Sequence, residues 1–186
     1  MKTRVLIIGF LFVIIVALMT APVSALTTGT TALTGNPSAY VSITLNELTI
    51  PLTLSPSAPA VDSSLTATVS ANKAFTVTVA DNTGRTVPAE LGYMGPYTIA
   101  TTSYVTVGEI PLTDALQLLG TTSGTTSAVA IVPPITSTPQ TLYSGSAAVT
   151  AQVLANQFTQ QVEYADAILP GTETYRIDLL YTITAS

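Results

Sequence analysis

Carboxylates are almost the only side chains in this chain that could do chemistry. Histidine and cysteine are absent from its 186 residues, so Ser-His-Asp and Cys-His nucleophilic arrangements cannot form. The usual zinc sites lack their ligands for the same reason. Two carboxylates are enough for glycoside hydrolysis, but the sequence has no tryptophan and no aromatic-rich pattern for a sugar cleft. We therefore expect no enzyme. The acids are scattered along the chain: Glu47, Asp62, Asp81, Glu90, Glu109, Asp114, Glu163, Asp166, Glu173 and Asp178.

The best candidates for a metal site are Asp81, Asn82 and Asp166, because calcium needs only hard oxygen ligands. The three residues would meet only if the ends of two predicted strand pairs come together. The alternative is turn chemistry, since the Asp-Asn-Thr-Gly sequence at 81–84 suits an aspartate that bonds the backbone of its own turn. The turn interpretation is favoured, and no other cofactor is predicted.

Tyrosine and arginine supply the remaining candidate contacts. Arg176 and Asp178 share a strand face, and Glu163 could pair with Arg176 across a ladder. The tyrosines have two possible roles: they are core residues, or they form a glycan-binding surface. The predicted core tyrosines are Tyr164, Tyr175 and Tyr181. The candidates for a glycan-binding or interface surface are Tyr40, Tyr93, Tyr97, Tyr104 and Tyr143.

The elements that position these residues are organised around residues 158–184. Period-two alternation predicts two strands here, with Pro170-Gly171 in the turn between them. Phe158, Gln160, Val162 and Tyr164 alternate with polar residues on the first strand. Tyr175, Ile177, Leu179, Tyr181 and Ile183 do so on the second. We expect these strands to form a hairpin at the centre of a sheet.

Shorter strands precede that hairpin. Residues 64–80 predict a second hairpin with a turn at Asn72-Lys73. Two apolar runs in 40–54 are out of phase, which indicates a bulge or tight turn at Asn46-Glu47, with Leu48 inward and Pro51 outward. Residues 112–119 fit a short helix or a strand, and strand is favoured. Short strands separated by turns predict an all-β, antiparallel β-sandwich of immunoglobulin-like kind or a barrel.

The N-terminus predicts export. Lys2 and Arg4 precede an apolar run over 5–19, and Val23-Ser24-Ala25 fits a signal peptidase site. The alternative is an uncleaved anchor. The predicted organisation is a signal peptide (1–25), a Thr/Gly-rich arm (26–38) and one β-sandwich domain (39–186). The arm is a linker or a strand that adds to a neighbouring subunit. After cleavage we expect no membrane association.

The charge balance excludes one class of partner. The predicted mature chain keeps only Lys73, Arg85 and Arg176 as cations against ten acids. Nucleic-acid binding requires clustered Lys and Arg. We therefore expect no nucleic-acid partner.

Two segments of the sequence resemble those of a known protein family. They are Phe75-Thr-Val-Thr-Val-Ala-Asp81-Asn-Thr-Gly84 with Gly92-Tyr93-Met94, and the alternating residues of 158–183. Together they resemble secreted surface proteins with a WxL-like β-sandwich, which are abundant in methanogenic archaea and some bacteria. Phe75 stands where that family usually has Trp, and the Trp-x-Leu motifs are missing, so the resemblance does not imply peptidoglycan attachment. It implies a secreted, non-enzymatic surface role, such as a methanogen sheath or surface-layer subunit.

The expected function is therefore a structural subunit of an extracellular cell-envelope assembly, such as a sheath, a surface layer or a filament. Copies would self-assemble through β-strand edges, and other envelope proteins or glycans could join them. One mature lysine motivates this hypothesis, since strand edges of monomers are often protected by Lys. The alternative is a monomeric cell-surface adhesin or glycan-binding module.

Overall fold

The computed structural model describes residues 35, 37–85, 90–105 and 110–186. The expected signal peptide and nearly all of the expected arm lie outside these residues. In chain order the strands are β1 (Val41–Leu45), β2 (Ala60–Asp62), β3 (Thr66–Ala71), β4 (Phe75–Asp81), β5 (Gly95–Thr98), β6 (Ser103–Tyr104), β7 (Gln117–Gly120), β8 (Thr126–Ala128), β9 (Gln140–Gly145), β10 (Val149–Gln160), β11 (Glu173–Arg176) and β12 (Leu179–Ala185).

Two antiparallel sheets pack face to face. In the first, β10 pairs with β3 along its earlier part and with β2 and β7 along its later part, and β1 lies outside β3. In the second, the order is β12-β4-β9-β8. The chain from Ser38 onwards forms one compact unit. The predicted all-β, antiparallel sandwich is confirmed.

The core lies between these sheets and follows from alternation. Every second residue of β3 is buried, and so are Phe75, Val77 and Val79 of β4. Leu142, Tyr143 and Leu154 complete the same cluster with no exposed surface. Burying one such side chain fully contributes about 1.5–3 kcal/mol. The two sheets therefore stabilise each other through strand faces that the sequence marks.

Both predicted hairpins are wrong. β3 and β4 lie in different sheets, because residues 72–74 carry the chain across the sandwich instead of turning it back. Asn72 helps to pair β3 with β1. Its backbone N–H bonds the Tyr40 carbonyl at 3.1 Å, and its side-chain oxygen accepts the Tyr40 N–H at 2.8 Å, which extends the β1–β3 ladder.

The C-terminal hairpin fails in the same way, since β10 belongs to the first sheet and β12 to the second. The predicted faces are otherwise correct: Phe158, Gln160 and Val162 are buried. Tyr164 is the exception. It lies beyond the end of β10 and is 85% exposed, because the chain has already turned away from the core.

A small third sheet, β11-β5-β6, extends one end of the sandwich. β11 and β12 follow one path that changes partner at 177–178, from β5 to β4. Met94, Leu112 and Val162 form a second cluster beneath this end. The alternating inward face predicted from Tyr175 to Ile183 is confirmed as partly buried, although two strands share it.

The chain leaves β1 at Asn46, where the predicted break in alternation occurs. The Asn46 side chain accepts the Thr66 N–H at 2.6 Å and donates to the Ser64 carbonyl at 2.9 Å, which ends the ladder. Residues 49–54 then run without a strand assignment, with Leu52 packed on both clusters. Pro51 is outward as expected, but Leu48 is 93% exposed, against expectation. Strand β7 confirms the preferred interpretation of 112–119 only for its last three residues, because 112–116 form neither a strand nor a helix.

Candidate functional site

The outer edge of β12 is the candidate site, and its geometry follows from its pairing with β4. The ladder runs without a register shift from Leu179↔Asp81 to Ala185↔Phe75. Just beyond its ends, the Asn82 N–H bonds the Asp178 carbonyl and the Ser186 N–H bonds the Ala74 carbonyl. Because hydrogen-bonded pairs alternate in an antiparallel ladder, even-numbered residues bond β4. The N–H and C=O groups of Leu179, Tyr181, Ile183 and Ala185 therefore face away from the sheet.

The sequence of β12 itself carries none of the residue types that usually protect an edge strand. Edge strands are commonly blocked by Lys, Pro, inward charge or a bulge, and the seven residues of β12 contain no charge, no proline and no bulge. Its solvent face shows Leu180, which is 49% exposed, with Thr182 and Thr184. Among the described residues no strand forms a hydrogen-bonded ladder with this edge, although β1 packs close beside β12. The arrangement can accept an additional strand.

A groove of about 900 Å³ borders the same edge. The chain from Leu45 to Leu54 lines one side, and residues from Thr174 to Tyr181 line the other. Pockets of this size that are mainly apolar with a few polar groups are typical of binding sites. Here Leu52, Leu179 and Tyr181 supply apolar surface, while Glu47 and Arg176 supply charge.

Tyr181 lines the groove, but its hydroxyl points into the protein. It is buried and has no hydrogen-bond partner among the described residues. Burial raises the pKa of Tyr181 far above its usual value, and the nearby Tyr143 adds to the shift. A buried hydroxyl without a hydrogen-bond partner lowers the stability of the fold.

Replacing Tyr181 with phenylalanine is expected to raise the free energy of unfolding by about 1 kcal/mol, because it removes an unsatisfied buried hydroxyl. Urea denaturation of the full chain measures the change. Tyr143→Phe is the matched control. Its hydroxyl donates to the Ala155 carbonyl at 2.5 Å and lies 3.2 Å from Asn156 Oδ1, so its loss is expected to destabilise by about 1 kcal/mol. Equal destabilisation by both changes would contradict the assignment.

A cluster of aromatic and charged side chains closes the end of the groove. Arg176 pairs with Asp178 at 2.6 Å and stacks over the Tyr97 ring, with its guanidinium carbon 4.3 Å from the centroid. Tyr104 donates to Asp178 Oδ2 at 2.9 Å and meets Tyr97 edge-on at 5.2 Å between centroids. Burial raises the pKa of Tyr104, and the bond to Asp178 raises it further. Tyr104 therefore stays protonated and fastens β6 to the turn between β11 and β12.

The predicted Glu163–Arg176 pair does not form, because β10 and β11 lie in different sheets. The hydrogen bond to Asp178 instead raises the pKa of Arg176. The tyrosines offered as a glycan-binding surface divide between core and surface. Tyr143 is fully buried and Tyr97 is 9% exposed, whereas Tyr40 is 56% exposed.

Asp81 lies at the buried end of β4 and organises the following loop. Its Oδ1 accepts the Thr83 N–H at 2.8 Å, its Oδ2 accepts the Gly92 N–H at 2.7 Å, and Arg85 lies 4.0 Å away. Arg85 also donates to the Tyr93 carbonyl and stacks over Tyr104. Nothing in the sequence pattern pointed to Arg85 or Gly92 as partners, since both lie outside the strands.

Asp166 performs a similar task in a different loop. Its Oδ1 accepts the Thr113 N–H at 2.9 Å and the Thr113 hydroxyl at 2.6 Å, and its Oδ2 accepts the Glu163 N–H at 2.7 Å. Burial works against the charged form, but these bonds outweigh it and lower the pKa of Asp166.

The calcium candidates are thus distributed over two loops. Asn82 is exposed and borders the groove, and its backbone extends the β4–β12 ladder. Both carboxylates bond backbone N–H groups, as turn chemistry requires. No group of three or more acids close enough to hold a metal ion occurs within 37–85, 90–105 and 110–186. Calcium binding stays a prediction.

Comparison with family models, with curated proteins and with solved structures found no match to this chain. Within the part of the chain that the structure describes, no helix is long and apolar enough to cross a membrane.

Proposed function

We propose that this chain is a non-enzymatic structural subunit of an extracellular cell-envelope assembly, such as a sheath, a surface layer or a filament, whose copies join through strand edges. The observation that carries the proposal is the outer edge of β12. Its four outward residues present N–H and C=O groups in one straight row, and no charge or proline interrupts them. Such a row is a ready template for pairing with another chain.

The N-terminal sequence supports the location. Two basic residues, an apolar run and a small-residue cleavage motif are the parts of a secretory signal, and export would place the domain outside the cell. The second sheet edge adds to the argument, since β1 also ends the first sheet with five uncharged residues, Val-Ser-Ile-Thr-Leu. β1 and β12 pack close to each other, so the two uncharged edges lie side by side on the subunit.

The proposal is tested by determining in which fraction of the cell the native protein occurs and whether it is polymerised there. We expect tryptic peptides of this chain, including one that begins at Leu26, in the fraction of the cell envelope that resists hot detergent. Peptide mass spectrometry of the detergent-resistant, detergent-released and culture-medium fractions measures this. Finding the chain only in the detergent-released or medium fraction would contradict the proposal and favour the monomeric adhesin.

A further inference from the structure

We propose that the outer edge of β12 pairs with β12 of a second copy, in an antiparallel register centred on Thr182. This inference rests on the proposed function and names the edge and the register that join two subunits. The pairing would make one continuous sheet of the two β12-β4-β9-β8 sheets.

The register follows from which backbone groups are free. Leu179, Tyr181, Ile183 and Ala185 point theirs outward, and in an antiparallel pair each free residue must face another free residue. Centring on Thr182 sets Leu179 opposite Ala185 of the partner subunit and Tyr181 opposite Ile183 of the partner subunit. All four outward residues of each copy are then bonded. A register centred on Tyr181 or Ile183 leaves the groups at one end unpaired.

The side chains of the two copies match in this register. Tyr181 lies beside Ile183 of the partner subunit, an aromatic and β-branched pair of the kind that stabilises sheets. On the solvent face, Leu180 meets Thr184 of the partner subunit, and the two Thr182 side chains meet each other. The whole chain carries a net charge of −5, yet β12 contains no acid. Within residues 179–185 two copies can therefore pair without bringing acids together. The charged residues nearest to β12 along the chain are Arg176 and Asp178, which bond each other.

The groove gives a second reason for a copy of this chain. Leu179 and Tyr181 form both the groove wall and one end of the edge. In the proposed register this end faces Ala185 and Ile183 of the partner subunit, which brings apolar side chains to the mouth of an apolar groove. Pairing would thus cover part of the groove as well as the backbone.

A cysteine at the two-fold centre tests the register. Thr182 of each copy would form a non-hydrogen-bonded pair, with Cα atoms about 4.5 Å apart, which is within disulfide range. The chain has no cysteine of its own, so Thr182→Cys in the full chain can cross-link only between copies. Mild oxidation and a non-reducing gel are expected to show a covalent dimer. In the matched control, Thr184→Cys, the two cysteines would lie four residues apart along the strands, or about 14 Å. We expect at least five-fold less dimer from it.

Hydrogen exchange gives an independent readout that needs no substitution. The Tyr181 and Ile183 amides are expected to exchange slowly in the assembled protein and rapidly in the dilute monomer. If Thr182→Cys cross-links no better than Thr184→Cys while the wild-type chain still sediments as an oligomer, copies join elsewhere and this register is wrong. Slow exchange in the monomer would also overturn it, because another part of the same chain would then cover the edge. A wild-type chain that stays monomeric at every concentration would instead remove the proposed function.

Discussion

Replacing Asp81 with alanine is expected to lower the free energy of unfolding by about 3–5 kcal/mol, the range for losing one partner of a buried ion pair. The Arg85 and Asp81 side chains are 4% and 0% exposed. The change removes the acceptor for the Gly92 and Thr83 N–H groups and a buried carboxylate that lies 4.0 Å from the Arg85 guanidinium. Urea denaturation of the full chain, followed by circular dichroism, measures the loss.

Two further variants make this prediction specific. Asp81→Asn keeps an acceptor oxygen but no charge, so it is expected to fold with a smaller loss than the alanine variant. Asp62→Ala is the exposed control, because Asp62 caps its turn through the Ser64 N–H at 2.8 Å in contact with solvent. We expect that control to cost about 0.5–1.5 kcal/mol. Losses of equal size at Asp81 and Asp62 would show that burial and the Arg85 charge contribute nothing.

The second large effect is expected at Gly92, where alanine should destabilise the protein by about 3 kcal/mol or more. Gly92 has a φ of +83°, and an added Cβ would lie 2.5 Å from the Ile135 backbone nitrogen and 2.7 Å from its carbonyl oxygen. Backbone atoms cannot rotate away as a side chain can, so the 90–94 loop or the loop that contains Ile135, between β8 and β9, must shift. Overpacking of this kind typically costs 1–3 kcal/mol, and the left-handed conformation adds about 1–2 kcal/mol.

Gly84→Ala separates those two causes. Gly84 has a φ of +74°, but nothing lies within 4 Å of the position its Cβ would take. It therefore reports the conformational cost alone, about 1–2 kcal/mol. Thermal or urea unfolding of both variants measures the difference, which is the cost of the collision with Ile135. A Gly92→Ala loss no larger than the Gly84→Ala loss would mean that the loop moves aside freely.

Alternation in the sequence predicted strand faces well, because burial of every second residue depends only on the strand itself. Val69 and Val77 would point inward with any partner. Partner choice depends on contacts distant in sequence, and there the predictions failed. The sequence of residues 72–74 is compatible both with a hairpin turn and with a connection that crosses between the two sheets. The side chain of Asn72, which bonds Tyr40, decides between them.

The candidate site could be predicted only in part for the same reason. The scarcity of lysine was visible in the sequence and suggested open strand edges, but it did not identify the strand. Residues 175–183 were expected at the centre of a sheet, whereas β12 lies at the edge of one. Which side of β12 is free follows from the β4 pairing, which links residues about a hundred positions apart. The hydrogen bonds and ion pair of Asp81 could not be predicted from the sequence. Its partners Gly92 and Arg85 lie in loops, where no alternation of apolar residues indicates which side chains are buried.

The order of the strands in the second sheet also constrains how the protein can be made. β4 lies between β9 and β12, so the centre of this sheet lacks both neighbours until the C-terminal part of the chain has been synthesised. Pairings between distant segments close large loops and fold slowly. β12 is the last described strand to emerge, and it is also the strand through which we propose that copies join. A growing chain would therefore lack the β12 edge until its own second sheet was complete, and only finished subunits could join through β12.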